Sequence, residues 1–323
     1  MIILITGCCG FIGGHLAEKC LQNNFSVIGI DDLNKFVYEK YNTQKIYTKQ
    51  TLEKYNNFKF IHNSIEKVDN LIATHLPDII VHLAAHANVR KSMHDTEKYF
   101  QNNVITTNYL LEQISKLKKK PLFIYASSSS VYGKNKNVPF SENDKLNNIT
   151  SIYALTKKMK EELVDYYCKN DNIKAIGLRF FTVYGPRGRP DMAVFQFLNK
   201  IHNNEEITMY GDGSMERDFT YIDDIVNGIM KCFELDMTNE KHITFNLGNN
   251  KPIKLKEFIS LCGKVVGKNP NIIIKDIPKG DVPITYANTD KANNILGFSP
   301  NYDFYTGLQN TYEWIKIFYY NKI

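Results

Sequence analysis

The chain has no Cys-x-x-Cys pair. Its six cysteines, at positions 8, 9, 20, 168, 232 and 262, also lack a histidine at zinc-site spacing, which argues against the common structural zinc folds. Scattered thiols of this kind stay reduced and predict a cytoplasmic compartment. No apolar run approaches the roughly 18 residues that a membrane helix needs, so no membrane contact is expected. The opening Met1-Ile-Ile-Leu-Ile5 is too short for a signal peptide and carries no basic flank; it reads as a buried strand. Lys and Arg outnumber Asp and Glu by 40 to 34, a net charge of +6, yet no basic stripe is interleaved with aromatics. That pattern argues against nucleic acid and suits scattered lysines on solvated faces, with anionic small molecules as the partners a basic surface would favour. No internal repeat and no metal-ligand cluster is found.

What is present is an ordinary globular composition, 43% hydrophobic and 23% charged over 323 residues, enough for one large domain or two lobes. Residues 2 to 6 form an apolar run that leads into Gly7-Cys-Cys-Gly10-Phe-Ile-Gly13 and then into helix-forming residues. Glycines at this spacing permit a tight turn, close approach of a pyrophosphate and tight helix packing, and the helix N-terminus offers N–H groups to phosphate. A second strand, residues 26 to 30, ends in Asp31-Asp32. An acidic side chain there accepts bonds from a ribose and repels a 2′-phosphate, which favours NAD over NADP; an Asp capping the next helix is the plainer alternative.

Further strands read at about 58 to 61, 79 to 83, 122 to 126 and 174 to 178, each separated by room for a helix. The alternation predicts an α/β fold, a Rossmann-type doubly wound parallel sheet whose ligands lie beyond the strands' carboxyl ends. A dinucleotide domain over 1–178 and a smaller, mainly substrate-binding lobe over 179–323 follow, with some later segments returning to the first. The small residues at 84, 85 and 87 would let a cofactor lie against the backbone.

Ser127-Ser-Ser-Ser130 ends the fifth strand, so its hydroxyls are expected in that same cleft. Tyr153-Ala-Leu-Thr-Lys157 follows a polar helix start at Thr150 and Ser151. Residues four apart share a helix face, and an ammonium at Lys157 would favour an ionised Tyr153, making it a proton acceptor. Spacing alone proves little, because Tyr-x-x-x-Lys recurs from Tyr41, Tyr55, Tyr132 and Tyr312; the surroundings single out Tyr153, and the other four are accidents of composition. In the second half, the loop Tyr184-Gly-Pro-Arg187-Gly-Arg189-Pro-Asp-Met192 carries two arginines able to fork onto carboxylate or phosphate. A helix from Ala193 follows, and Arg217 is a third candidate ligand.

With these residues in hand, the chain resembles the extended short-chain dehydrogenase/reductase family, and within it the nucleotide-sugar 4-epimerases. The glycine loop, Asp31, His82-Leu-Ala-Ala85, Ser128, Tyr153, Lys157 and Arg217-Asp-Phe219 occur in order from Ile2 to about Pro300. A narrower resemblance, to UDP-glucuronate 4-epimerases, rests on residues 125–133, 178–186, 188–193 and 213–224. It implies NAD held by Gly7, Gly10, Phe11, Ile12, Gly13, Asp31, Asp32, Asn34, Ser64, Ile65, Leu83, Ala84, Ala85, Ala87 and Asn103, with Tyr153 and Lys157. It also implies a UDP-sugar held by Arg90, Ser128, Ser129, Ser130, Thr182, Arg189, Ala193, Val194, Tyr210, Arg217 and Asp281, and a homodimer.

By the same resemblance Tyr153 takes the proton from the sugar 4-hydroxyl, Lys157 holds the nicotinamide ribose, and Ser128 bonds the same oxygen as Tyr153. Once C4 is a ketone the C5 carboxylate belongs to a β-keto acid, and Ser129, Ser130, Thr182 and Arg189 are expected to restrain it. The chain departs from the family pattern at Ser64, where relatives carry Asp and where Asn63 could substitute. It departs at Lys279 and again at His86 and Asn88, which replace Gln and Gly in Ala-Ala-Gln-Ala-Gly-Val-Arg. A 4,6-dehydratase is disfavoured, because Ser129 and Ser130 stand where it needs an Asp-Glu pair. UDP-glucuronate decarboxylation, neutral UDP-glucose epimerisation and a non-catalytic NAD sensor remain as alternatives.

Overall fold

The computed structural model describes residues 1–34, 41–277 and 283–320. Six strands of the first half are β1 (Ile2–Thr6), β2 (Ser26–Asp31), β3 (Phe58–His62), β4 (Ile79–His82), β5 (Leu122–Ser128) and β6 (Ala175–Phe180). The second half adds β7 (Thr182–Tyr184), β8 (Glu206–Tyr210), β9 (Glu216–Tyr221), β10 (His242–Leu247), β11 (Pro252–Lys254), β12 (Asn271–Lys275) and β13 (Ile284–Thr285). One seven-stranded sheet runs β10-β6-β5-β4-β1-β2-β3, and every neighbouring pair in it is parallel. This is the expected doubly wound sheet. Its central strands are near-continuous apolar runs because helices cover both faces; in β1, Ile3, Leu4 and Ile5 are fully buried.

The seventh strand, β10, comes from the second half and pairs beside β6 with Phe245 opposite Leu178. β6 itself runs to Phe180, past the boundary at 178 read from the sequence. The remaining strands form small sheets, β11-β9-β13 with β7 on β9, and β12-β8. The order of the large sheet reverses between β1 and β4, so the crevice at their carboxyl ends is where a doubly wound fold binds ligands. A cleft of about 1490 Å³ opens there and runs on to the small sheets, reaching Tyr210, Arg217 and Phe258.

Candidate active site

At the phosphate end, Gly7 leaves β1 with φ +71, and a Cβ on it would lie 2.9 Å from the Ala84 backbone nitrogen. A Cβ on Gly13 would lie 2.2 Å from the Gly7 carbonyl oxygen, so only glycine closes this turn. Helix α1 (Phe11–Gln22) then starts with neither a side-chain cap nor an acidic residue in its first turn. That end suits a diphosphate, which the helix dipole and free N–H groups attract. One of these groups is already engaged: the Phe11 backbone hydrogen-bonds the Tyr41 hydroxyl, a buried phenol pushed upward by desolvation.

Asp31 ends β2 and is buried. Its carboxylate accepts from the backbone N–H of Cys9 (3.1 Å) and Leu33 (2.8 Å) and pairs with Lys45 Nζ at 2.9 Å. Asp32, Asn34, Ser64 and Ile65 line the cleft beside it. Neither Tyr41 nor Lys45 was given a role from sequence. The Tyr41-x-x-x-Lys45 match reads from sequence as an accident of composition, yet both residues line the cleft. At the departure from the family Asp, the Asn63 side-chain carbonyl accepts the Ser64 N–H at 3.0 Å.

The chemical centre lies where β5 meets the helix Ile152–Asp171. Ser151 caps that helix by accepting the Ala154 N–H at 3.1 Å, and the Tyr153 N–H donates to Ser92 Oγ at 3.1 Å. These bonds fix the first turn, and the Ser128 hydroxyl hydrogen-bonds the Tyr153 phenol. Lys157 Nζ donates to the Ala126 carbonyl at 2.9 Å and sits 5.6 Å from the centre of the Tyr153 ring.

Desolvation raises the Tyr153 phenol above its ordinary value, while the Ser128 bond and the positive charge of Arg189 pull it down. Lys157 stands close to the ring, where the helix spacing puts it. Burial also lowers the Lys157 ammonium to about 8, against the opposing pull of Glu161.

Ser127 also lines the cleft, but its hydroxyl is already committed, donating to Glu161 Oε1 at 2.5 Å. Glu161 in turn holds Arg179 through bonds of 3.0 and 2.7 Å. Ser128, Ser129 and Ser130 line the cleft, with Ser128 Oγ accepting the Ser130 N–H at 3.2 Å.

Neither loop arginine reaches out as a free fork. Arg187 is buried and pairs with Glu18 at 2.7 Å, outside the cleft wall. Arg189 lies in the wall but grips Asp191 through Nε (2.9 Å) and Nη2 (2.6 Å), and its Nη1 donates to the Ala87 carbonyl at 3.0 Å. Asp191 also accepts from Asn88 Nδ2 at 2.9 Å. An acidic residue two past an arginine in a proline-stiffened loop was the available signal for this pair.

The glycine loop, Phe11, Ile12, Leu83, Ala84, Ala85 and Ala87 line the cleft, as do Arg90, Thr182, Ala193, Tyr210 and Arg217. Two assigned residues do not. Asn103 is fully buried in the π-helical turn Gln101–Ile105, where its amide bonds the His86 backbone (2.8 and 3.0 Å) and Thr156 Oγ1 (3.0 Å); it shapes the loop after β4 from behind. Val194 is buried and lines a separate small cavity with Thr182 and Phe195, because its place on the helix Ala193–His202 turns it inward. Asp281 and Lys279 lie outside the described residues. Among the described residues no cluster of His, Cys, Asp or Glu could hold a metal ion.

Comparison with known proteins places this geometry in context. Residues 3–248 match the model of the NAD dependent epimerase/dehydratase family. The chain is 41% identical to an uncharacterized protein of Methanocaldococcus jannaschii, over 97% of this chain and 95% of that one. It is 34% identical to a probable UDP-glucuronate 4-epimerase of Rhizobium meliloti, over 97% and 96% of the two chains. The crystal structure of UDP-glucuronic acid 4-epimerase from Bacillus cereus, in complex with UDP-glucuronic acid and NAD, matches with a TM-score of 0.91. That match holds at 36% identity over 99% of this chain and 100% of the other.

Proposed function

The chain belongs to the NAD dependent epimerase/dehydratase family, and from that premise we propose that it interconverts UDP-glucuronate and UDP-galacturonate by epimerisation at C4. The observation that carries this reading is the Tyr153 phenol in the cleft wall with Ser128, the Lys157 ammonium 5.6 Å from the centre of its ring. Among the described residues no carboxylate pair stands beside it to start an elimination. When bound, NAD supplies the hydride acceptor and donor, so the reaction has no net redox change. The glycine cradle and the uncapped end of α1 suit its diphosphate, and Asp31 suits its adenosine ribose.

In this reading Tyr153 accepts the 4-hydroxyl proton as the ketone forms and returns it when the ketone is reduced from its other face. Ser128 holds the same oxygen throughout. Lys157 orders the nicotinamide ribose, anchored through its own bond to Ala126. Ser129 and Ser130 offer hydroxyls to the C5 carboxylate and cannot remove the C5 proton at neutral pH. Arg217 serves the UDP end of the cleft.

A homodimer in the cytoplasm completes the proposal. All six cysteines are free and buried, and Ile105 and Tyr166 are exposed apolar residues on neighbouring helical segments. Among the described residues no helix is long and apolar enough to cross a membrane. Light scattering of the purified protein tests the dimer directly, and a monomer at micromolar concentration would end that part of the proposal.

One observation favours a second reading, a neutral UDP-hexose 4-epimerase: the guanidinium of Arg189 is already paired with Asp191. A single experiment separates the two. The purified protein is incubated with UDP-glucuronate and, separately, UDP-glucose, without added NAD, and products are followed by NMR. UDP-galacturonate is expected. UDP-galactose alone selects the neutral epimerase, a UDP-pentose selects decarboxylation, and no turnover of any nucleotide sugar by NAD-loaded protein overturns the enzymatic reading.

A further inference from the structure

Asn88 occupies the position at which the family pattern has glycine, and its side chain joins two walls of the cleft. Its Oδ1 accepts the Lys91 N–H at 2.8 Å and caps the short helix Val89–Ser92. Its Nδ2 reaches across 103 residues of sequence to Asp191 Oδ2 at 2.9 Å. The backbone carbonyl of Asn88 is held as well, accepting the Tyr99 hydroxyl at 2.6 Å.

The ring of bonds closes through Arg189. Its Nε and Nη2 grip the Asp191 carboxylate, and its Nη1 donates to the carbonyl of Ala87, the residue before Asn88. Three of the five guanidinium N–H donors are thereby committed, and the two left over are fixed in direction. Arg189 and Asp191 side chains are 17% and 15% exposed, dry enough for each bond to count. A glycine at 88 would leave the Arg189–Asp191 pair attached to the β4 side only through the Ala87 carbonyl.

We propose that Asn88 is a positioning residue that locks Arg189, through Asp191, in the cleft wall, where its guanidinium confines a keto-acid intermediate. The inference rests on the UDP-glucuronate reading. Loss of CO2 from a 4-keto acid requires the C5–C6 bond to turn into line with the carbonyl π system. That bond then breaks, its electron pair enters the C4 enolate, CO2 departs, and a proton returns to C5. A charged group held still beside the sugar opposes that turn, whereas a swinging one does not. The same immobility keeps the positive charge near the Tyr153 oxygen.

The test uses Asn88→Ser in the NAD-loaded enzyme. Serine preserves the helix cap and is too short to reach Asp191, so folding is kept while the strut is lost. Two quantities are read. One is the fraction of UDP-glucuronate turnovers that end in CO2, expected to rise roughly tenfold, the effect of removing one hydrogen bond to a charged group. The other is the ultraviolet titration of the Tyr153 phenolate, taken as a difference against Tyr153→Phe, whose midpoint is expected to move upward.

A CO2 fraction and a phenol midpoint both equal to those of the unaltered protein would overturn the inference while leaving the epimerase reading intact. If the unaltered protein does not turn over UDP-glucuronate, that reading fails instead, and the phenol titration still decides whether Asn88 governs Arg189. Asn88→Asp, which keeps the cap but sets a carboxylate against Asp191, should raise the CO2 fraction further; a return to the unaltered value would also sink the proposal.

Discussion

At Tyr153, burial and charge pull in opposite directions, and the balance decides what the residue can do. Desolvation favours the neutral phenol; the Ser128 hydrogen bond and the Arg189 cation favour the phenolate. Proton transfer by a positioned group is worth roughly 10²- to 10⁴-fold in rate. Tyr153→Phe is therefore expected to lower kcat by that range while leaving KM for the UDP-sugar within about twofold, since uniform binding is untouched. Steady-state kinetics on the purified variant check this, and a kcat within tenfold of the unaltered enzyme would remove Tyr153 from the chemistry.

About two turns further along the same helix, Lys160 is fully buried and its Nζ has no hydrogen-bond partner among the described residues. Desolvation, reinforced by the Lys157 charge, lowers its ammonium far below the usual lysine value. In the unfolded chain this lysine keeps its proton up to about pH 10.4, so across that window the unfolded state binds more protons than the folded one. Stability then rises with pH, by up to about 1.4 kcal/mol per pH unit for one proton. Lys160→Met should flatten that slope by as much as one proton. At neutral pH it should stabilise the protein by about 1 to 3 kcal/mol, the cost of a buried amine left without a hydrogen bond. Urea titrations between pH 7 and 9 measure both effects, and a destabilised variant with an unchanged slope would mean that Lys160 is satisfied and charged.

Among the elements, β9 does for the substrate side what the Tyr153 helix does for the chemistry. Asp218, next to Arg217, is buried and accepts the backbone N–H groups of Asn249 (2.8 Å), Asn250 (3.1 Å) and Ala287 (3.0 Å). Asp218→Ala strands two buried donors, at roughly 1 kcal/mol or more each, and a third that is partly exposed. A loss of about 3 kcal/mol in stability is expected, with a higher KM because Arg217 loses its rigid neighbour. Thermal unfolding and kinetics at a temperature where the variant is folded check the two parts; a KM that stays put would uncouple Arg217 from this strand.

The elements also explain what could be read beforehand. β1 to β6 were legible because each is a short apolar run bounded by turn residues, and the glycine loop because it sits between such a run and a helix. β10 was not, since its sequence, His-Ile-Thr-Phe-Asn-Leu, says strand but not which sheet; only its pairing with β6 decides that. Ser127 lines the cleft, but four like residues in a row do not reveal that its hydroxyl is committed to Glu161. Asn88–Asp191 and Lys45–Asp31 depend on contacts between distant segments, which local spacing cannot carry. Helix spacing reports the proximity of Lys157 to Tyr153 but leaves out desolvation, the largest influence on both groups.

Over the whole molecule, the nucleotide-binding half and the substrate half share one interior. A single apolar cluster joins Ile3, Leu16 and Leu178 from the first half with Ile229, Phe245, Phe298 and Leu308 from the second. Cys20 of α1 meets Met230, 210 residues away, and β10 covers what would otherwise be an open edge at β6. A sheet edge left unpaired recruits other chains, and a core cut in half leaves apolar surface in water. We therefore infer that the two halves, which the sequence reads as lobes meeting at about residue 178, fold as one unit. A fragment ending at residue 181 is expected to self-associate and to melt without a cooperative transition. The full chain, by contrast, should show one transition whose midpoint rises with added NAD, because a ligand that binds only the folded state stabilises it by mass action. Calorimetry and gel filtration of both make the comparison. A monomeric fragment with its own sharp transition would restore two independent domains and place the coupling between cofactor and sugar in their interface alone.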